Sequence, residues 1–223
     1  MVRKERYFEL LDELKDSNAE LVAVSKTHSV EKIKALYELG QRDFGENRVA
    51  ELIEKAPLLP DDIRWHFIGN LQSKKVKNLI PVPWLIHSVN RPKLLRVIQK
   101  EAENNEVVCK ILVQLKIAEE DTKSGFDYTN AEESIDKLVA GEYPNIQLRG
   151  LMGMATFTDD MNVVRDEFSG LQEFHQKLRS KSENHREHLK ILSTGMSGDY
   201  KVGLECGSNL VRIGSLIFGE RNY

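Results

Sequence analysis

Short apolar runs of strand length alternate along this chain with charged segments whose apolar residues recur at helical spacing. Strands are predicted at residues 21–25, 43–46, 65–69, 85–89, 107–115, 146–152, 189–193 and 210–213. Helical patterns at 29–39, 48–55, 92–104, 131–140 and 162–181 lie between them. Ahead of the first strand, Tyr7, Leu10, Leu11 and Leu14 share one helical face, which predicts an extra packed N-terminal helix. Ser29 reads as an N-cap, with Glu31 and Lys32 in the first turn and Gly40 as the stop. Residues 56–64 and 123–130 read as loops, the second following strand five.

Alternating strands and helices, with strands rich in β-branched residues, call for a parallel sheet covered by helices. Eight such units in 223 residues predict an α/β chain folded as one (β/α)8 TIM barrel domain spanning 1–223. A doubly wound open sheet is the alternative. It lacks the GxGxxG that a dinucleotide-binding domain carries after its first strand.

Composition narrows the partners. A formal net charge of −3 gives no electrostatic reason to expect nucleic acid or an acidic membrane. Cys109 and Cys206 stand far apart and outside any CxxC pattern, as reduced thiols in a reducing compartment do. No apolar run approaches the roughly 20 residues of a membrane span, and the mixed-charge N-terminus has no signal-peptide core. The expected location is the cytoplasm.

Candidate chemistry begins at Lys26, where the first strand ends. With Lys26 inward, alternation turns Val22 and Val24 inward and sets Ala23 and Ser25 against the helices. A partly desolvated amine at the rim of an apolar interior is nucleophilic and forms imines with aldehydes. Lys110 and Lys190 lie near strand starts, toward the opposite end, and Lys116 at the end of strand five is the rival. Gly- and Ser-bearing loops follow strands seven and eight, at Ser193 to Asp199 and at Gly214-Ser215, where barrels most often bind phosphate. Ordinary turn chemistry also explains such residues. Arg212, in an apolar strand, needs a ligand or an acid such as Glu46 or Glu205, and Arg149 poses the same question. His66 and His87 find no third residue at a metal-ligand spacing, so a metal site is not expected. An imine-forming lysine, a phosphate cradle and a buried arginine together suggest pyridoxal 5′-phosphate (PLP).

Six stretches, in order, carry a resemblance to a known family. They are Ala-Val-Ser-Lys-Thr-His (23–28), Phe-Gly-Glu-Asn-Arg (44–48), Trp-His-Phe-Ile-Gly-Asn-Leu-Gln (65–72), Arg-Gly-Leu-Met-Gly-Met (149–154), Leu-Ser-Thr-Gly-Met-Ser (192–197) and residues 207–219. In these the chain resembles the PLP homeostasis proteins, single-domain relatives of the alanine racemase N-terminal barrel. The resemblance implies a Schiff base on Lys26 and a phosphate held by Ser193, Gly214 and Ser215, with backbone help near Gly195 and Met196. It sets Arg212 against the pyridine nitrogen and Asn47 and His66 along the pocket, with Met152 and Ser208 as weaker contacts.

Alanine racemase has a second, β-rich domain whose copy in the dimer partner supplies a tyrosine base, and 223 residues leave no room for one. Racemisation needs an acid/base group on each face of the α-carbon. The expectation is therefore a PLP-binding, monomeric homeostasis protein that passes the cofactor to apo-enzymes without robust catalysis. A PLP-dependent amino-acid racemase is the alternative, and a cofactor-free lysine aldolase a third reading.

Overall fold

In the computed structural model, which describes residues 2–120 and 124–219, eight strands close a barrel in sequence order, all pairs parallel. The strands are β1 (Glu20–Val24), β2 (Asp43–Glu46), β3 (Arg64–Phe67), β4 (Leu85–Val89), β5 (Cys109–Gln114), β6 (Ile146–Met152), β7 (Ile191–Met196) and β8 (Leu210–Ile213). The helices are α1 (Lys4–Lys15), α2 (Val30–Glu38), α3 (Val49–Lys55), α4 (Val76–Leu79), α5 (Pro92–Asn104), α6 (Tyr128–Val139), α7 (Met161–Ser180), α8 (Glu183–His188), α9 (Tyr200–Glu205) and α10 (Ser215–Phe218). The expected fold, N-terminal helix included, is the one observed.

Period two sorts each strand into two environments. Leu21, Ala23, Phe44, Trp65, Phe67, Ile111, Val113, Leu151, Leu192 and Val211 join Ile33, Leu52, Leu94, Ile98, Ile135 and Leu178 of the helices in one buried core outside the barrel. On α1, Tyr7, Leu10 and Leu14 are buried in the same layer, and each contributes roughly 1.5–3 kcal/mol. Leu11, expected on that face, is only partly buried. Strand positions of the opposite alternation face the lumen. Leu85, Leu112 and Met152 form a separate apolar cluster there, and Asp43, His66, His87, Ser193 and Arg212 are buried polar residues.

Several boundaries moved. Strand β3 begins one residue early and stops at Phe67, and β7 runs Ile191–Met196 instead of 189–193. Helix α6 starts at Tyr128 because Asp127 caps it, its carboxylate accepting from Asn130 N–H. That removes the last residues of the loop expected at 123–130, and Lys123 lies outside the described residues. Ser29 does occupy the N-cap of α2, in extended backbone, but its side chain makes no cap hydrogen bond. Gly40 ends the helix as expected, with φ of 105°. Helices α4, α8, α9 and α10, each at most six residues, escaped the sequence pattern because they are too short to show a 3.6-residue period.

Candidate functional site

Lys26 follows β1 at the C-terminal end of the barrel, and the local sequence fixes which way it faces. Ser25 is completely buried on the helix side, where its hydroxyl donates to Glu46 Oε1 at 2.7 Å. Lys55 Nζ holds the same oxygen at 2.8 Å. Burial raises the Glu46 carboxyl above its ordinary value, against the pull of Lys55 and Ser25. Anchoring Ser25 outward turns Lys26 toward the lumen side. Thr27 then adopts φ of 67°, costly for a β-branched residue, and its N–H donates to Glu51 Oε2 at 2.8 Å. A strained residue held from two sides gives Lys26 a defined position.

A cavity of about 610 Å³ opens at this end. Of the residues singled out in the sequence, Lys26, Asn47, Met196, Arg212, Gly214 and Ser215 line it. Lys26 is the one lysine among its described lining residues, and Lys116 is not among them. Val24, Ile68 and Met154 supply an apolar wall. Asn47 Oδ1 is buried without a hydrogen-bond partner, an acceptor left open for a ligand donor. Gly214 N–H donates to Ser197 Oγ at 3.3 Å, and Ser215 opens α10, whose first N–H groups have no acceptor within the helix. A Cβ at Gly214 would meet Val24 O at 3.0 Å, so this loop passes close to the strand that carries Lys26.

His66, Met152, Ser193, Gly195 and Ser208 do not line the cavity. Met152 belongs to the lumenal apolar cluster. The Ser208 hydroxyl is spent on backbone, donating toward Thr194 O at 2.8 Å and accepting from Thr194 N–H at 3.2 Å. Gly195 is demanded by its φ of 91° and by Tyr200 Cα, which a Cβ would approach to 2.8 Å. Met196 N–H, expected to help with phosphate, donates to Asp199 Oδ1 at 2.5 Å.

Ser193 and His66 instead belong to a chain of buried polar groups beneath the cavity. Arg212 donates to Ser193 O at 2.8 Å, to Ser193 Oγ at 2.6 Å and to Gly153 O at 3.1 Å. Ser193 Oγ lies 3.4 Å from His87 Nδ1, His87 Nε2 lies 2.9 Å from His66 Nδ1, and His66 Nε2 lies 2.9 Å from Asp43 Oδ1. Asp43 also accepts from Arg64 Nε at 2.7 Å. One set of tautomers satisfies the whole chain. His66 Nε2–H donates to the Asp43 carboxylate, so Nδ1 accepts from His87 Nε2–H. His87 Nδ1 then accepts the Ser193 hydroxyl proton, and Ser193 Oγ is left to accept from Arg212. Burial, with His66 and Arg212 nearby, holds His87 well below its ordinary pKa, so it is neutral. Asp43 is held below the usual carboxylate range by His66 and Arg64 despite its burial. Burial pulls the Arg212 guanidinium down to about 10, which leaves it charged at neutral pH. The acids suggested as partners for Arg212 are engaged elsewhere: Glu46 with Lys55, and Glu205 with Arg165.

The sequence reading took in Ser197 and Asp199 only as part of the loop from Ser193 to Asp199, and it missed His28 as a lining residue and Asp43 as the end of the polar chain. Alternation along β2 and β3 sets Asp43 and His66 on one inner face, a signal present in the sequence; the loop residues leave no periodic trace. A lysine amine, an open acceptor, a fixed cation and a Gly-Ser loop around one cavity suit a small anionic carbonyl compound.

Residues 5–222 match the family of the alanine racemase N-terminal domain. The chain is 39% identical over 206 residues to the pyridoxal phosphate homeostasis protein of Aquifex aeolicus, covering 92% of this chain and 88% of that one. It is 34% identical over 210 residues to the protein of the same name from Schizosaccharomyces pombe, covering 92% and 85%. Among solved structures, PipY of Synechococcus elongatus with PLP bound superposes with a TM-score of 0.87 at 31% identity, covering 97% of this chain and 99% of that chain. The alanine racemase of Clostridium difficile shares the fold, with a TM-score of 0.73 at 17% identity over 96% of this chain and 56% of its own.

Proposed function

The chain belongs to the pyridoxal phosphate homeostasis proteins of the alanine racemase N-terminal domain family, and from that premise we propose that it holds PLP as a Schiff base on Lys26. The observation that carries this reading is the placement of Lys26 as the one lysine, among the described residues, lining the cavity that Arg212 and the Gly214-Ser215 loop also line. Bound PLP supplies an aldehyde for the amine, a phosphate dianion and a pyridine ring.

The chain's own groups then have distinct tasks. Gly214 and Ser215 offer backbone and hydroxyl donors to the phosphate, with Ser197 beside them. Asn47 Oδ1 accepts from the ligand, and Val24, Ile68 and Met154 pack against it and keep water out. Arg212, fixed by Ser193 and Gly153, presents a cation to the ring nitrogen and so opposes its protonation. That weakens the electron withdrawal on which α-carbon chemistry depends, and it favours storage and delivery of the cofactor over catalysis. His66 acts one step removed, through His87 and Ser193. The protein works in intracellular vitamin B6 and amino-acid homeostasis as a cytoplasmic monomer that hands PLP to apo-enzymes. Among the described residues no helix is long and apolar enough to cross a membrane.

His28, a further titratable group on the cavity wall beside Lys26, is the observation that favours the alternative of a PLP-dependent racemase. One experiment addresses both readings. PLP titrated into the protein gives a visible imine band, and Lys26→Ala abolishes it; a band retained at unchanged affinity makes Lys26 the wrong lysine. The loaded protein, incubated with L-amino acids in deuterated water, incorporates no α-deuterium above a PLP-only control. Incorporation that depends on His28 establishes the racemase.

A further inference from the structure

The opposite end of the barrel carries an unusual layer. In barrels of this kind the N-terminal face serves stability, and inward positions hold branched apolar side chains. Here Glu20 of β1, Arg64 of β3, Lys110 of β5 and Arg149 of β6 line a cavity of about 340 Å³, floored by Leu85, Ile191 and Leu210. Lys190 and Trp84 complete its rim.

Charge in this cavity is not balanced: against Arg64, Lys110, Arg149 and Lys190 its described lining holds one acid, Glu20, which forms an ion pair with none of them. Arg64 is matched by Asp43 and Lys190 by Glu187, at 2.6 Å in the second case. Neither Lys110 nor Arg149 has a carboxylate within ion-pairing distance among the described residues. Lys110 Nζ instead rests 3.0 Å from the centroid of the Trp84 ring. Partial burial, then the charges of Arg149 and Arg64, lower the Lys110 pKa, the mark of cations crowded together without enough counter-charge. A partly enclosed guanidinium and ammonium facing one cavity are costly unless an anion joins them.

We propose that this N-terminal mouth is a second ligand site, separate from the cofactor cavity, that binds a small dianion of the phosphate class between Arg149 and Lys110. Two cations outside any ion pair, with only Glu20 near them in the lining, favour a dianion, which can engage both at once where a monocarboxylate engages one. The flat fork of Arg149 takes two oxygens, and Lys110 swings from the indole to meet the third. The cavity admits a phosphate monoester with a small organic body, which packs on the indole face that Lys110 vacates. The proposal does not depend on what occupies the Lys26 cavity.

Trp84 is half exposed at this rim, whereas Trp65, the only other tryptophan, is buried in the outer core. Inorganic phosphate titrated into the full-length protein at constant ionic strength, with chloride as the control, should give a saturable change in tryptophan emission and a rise in the thermal midpoint. Arg149→Gln weakens phosphate at least tenfold by both readouts, and Lys110→Gln does likewise. Trp84→Phe removes the emission change while the midpoint rise persists. Equal responses to chloride and phosphate, or an affinity unaffected by Arg149→Gln, overturn the proposal, the second result assigning phosphate to the Lys26 end. Arg149 is only partly buried, and circular dichroism of each variant confirms that it is folded before titration.

Discussion

At the scale of single residues, Ser193 shows how far a side chain's surroundings can depart from what its sequence context implies. It heads the Gly/Ser segment expected after strand seven, and the family resemblance makes it a phosphate donor, yet the side chain is fully buried and its Oγ accepts from Arg212 at 2.6 Å. The bulge between Ser193 and Met196 in the pairing with β8 decides this, and bulges leave no reliable trace in composition. Ser193→Ala should therefore destabilise the PLP-free protein by about 1–3 kcal/mol in urea unfolding, because Arg212 loses an acceptor and His87 a donor. A variant that keeps wild-type stability and loses only phosphate affinity would return Ser193 to the phosphate. Position marked Lys26 as one candidate among several lysines, since strand ends at this face carry chemistry, and only the Gly/Ser loops and the family resemblance put it first. What the sequence could not show was Thr27 in left-handed backbone, which requires Glu51 from α3 to be in place.

At the scale of elements, the strands were the most legible feature, because alternation is a local property that burial enforces along each one. Helix ends depended on caps such as Asp127, and the shortest helices on tertiary packing alone. Helix α7 illustrates the energetics that follow from such packing. It buries His175, whose Nε2–H donates to the carbonyl of Leu189 at the end of α8 at 2.9 Å, and burial lowers the imidazole to about 4. The unfolded chain titrates near 6.5, so between these values it binds a proton that the folded protein refuses. Stability from this group is complete above about pH 6.5 and is lost as pH falls, by about 3 kcal/mol near pH 4. His175→Gln, which keeps an N–H donor, should flatten that acid-side slope in urea midpoints measured between about pH 7 and 4.5. An unchanged slope would mean that His175 titrates normally in the fold.

At the scale of the whole molecule, a closed barrel places chemistry at its two mouths and separates them by a lumen. The C-terminal mouth gathers Lys26, Asn47, Arg212 and Gly214-Ser215 from the ends of β1, β2 and β8, and β8 adjoins β1 only because the barrel closes. That convergence explains why the order of eight strands could be read from one chain while the cavity's full lining could not. His28 and Asp199 enter from loops whose course depends on closure. Beneath the cavity, the chain from Arg212 through Ser193, His87 and His66 to Asp43 crosses the lumen and fixes the guanidinium that lines the cavity. The central claim is that this mouth holds PLP through Lys26. Borohydride reduction of the PLP-loaded protein followed by peptide mass mapping tests it most directly. The account predicts a pyridoxyl group on the peptide containing Lys26 and on no other; modification at Lys116 instead, or an unmodified Lys26 peptide, contradicts it.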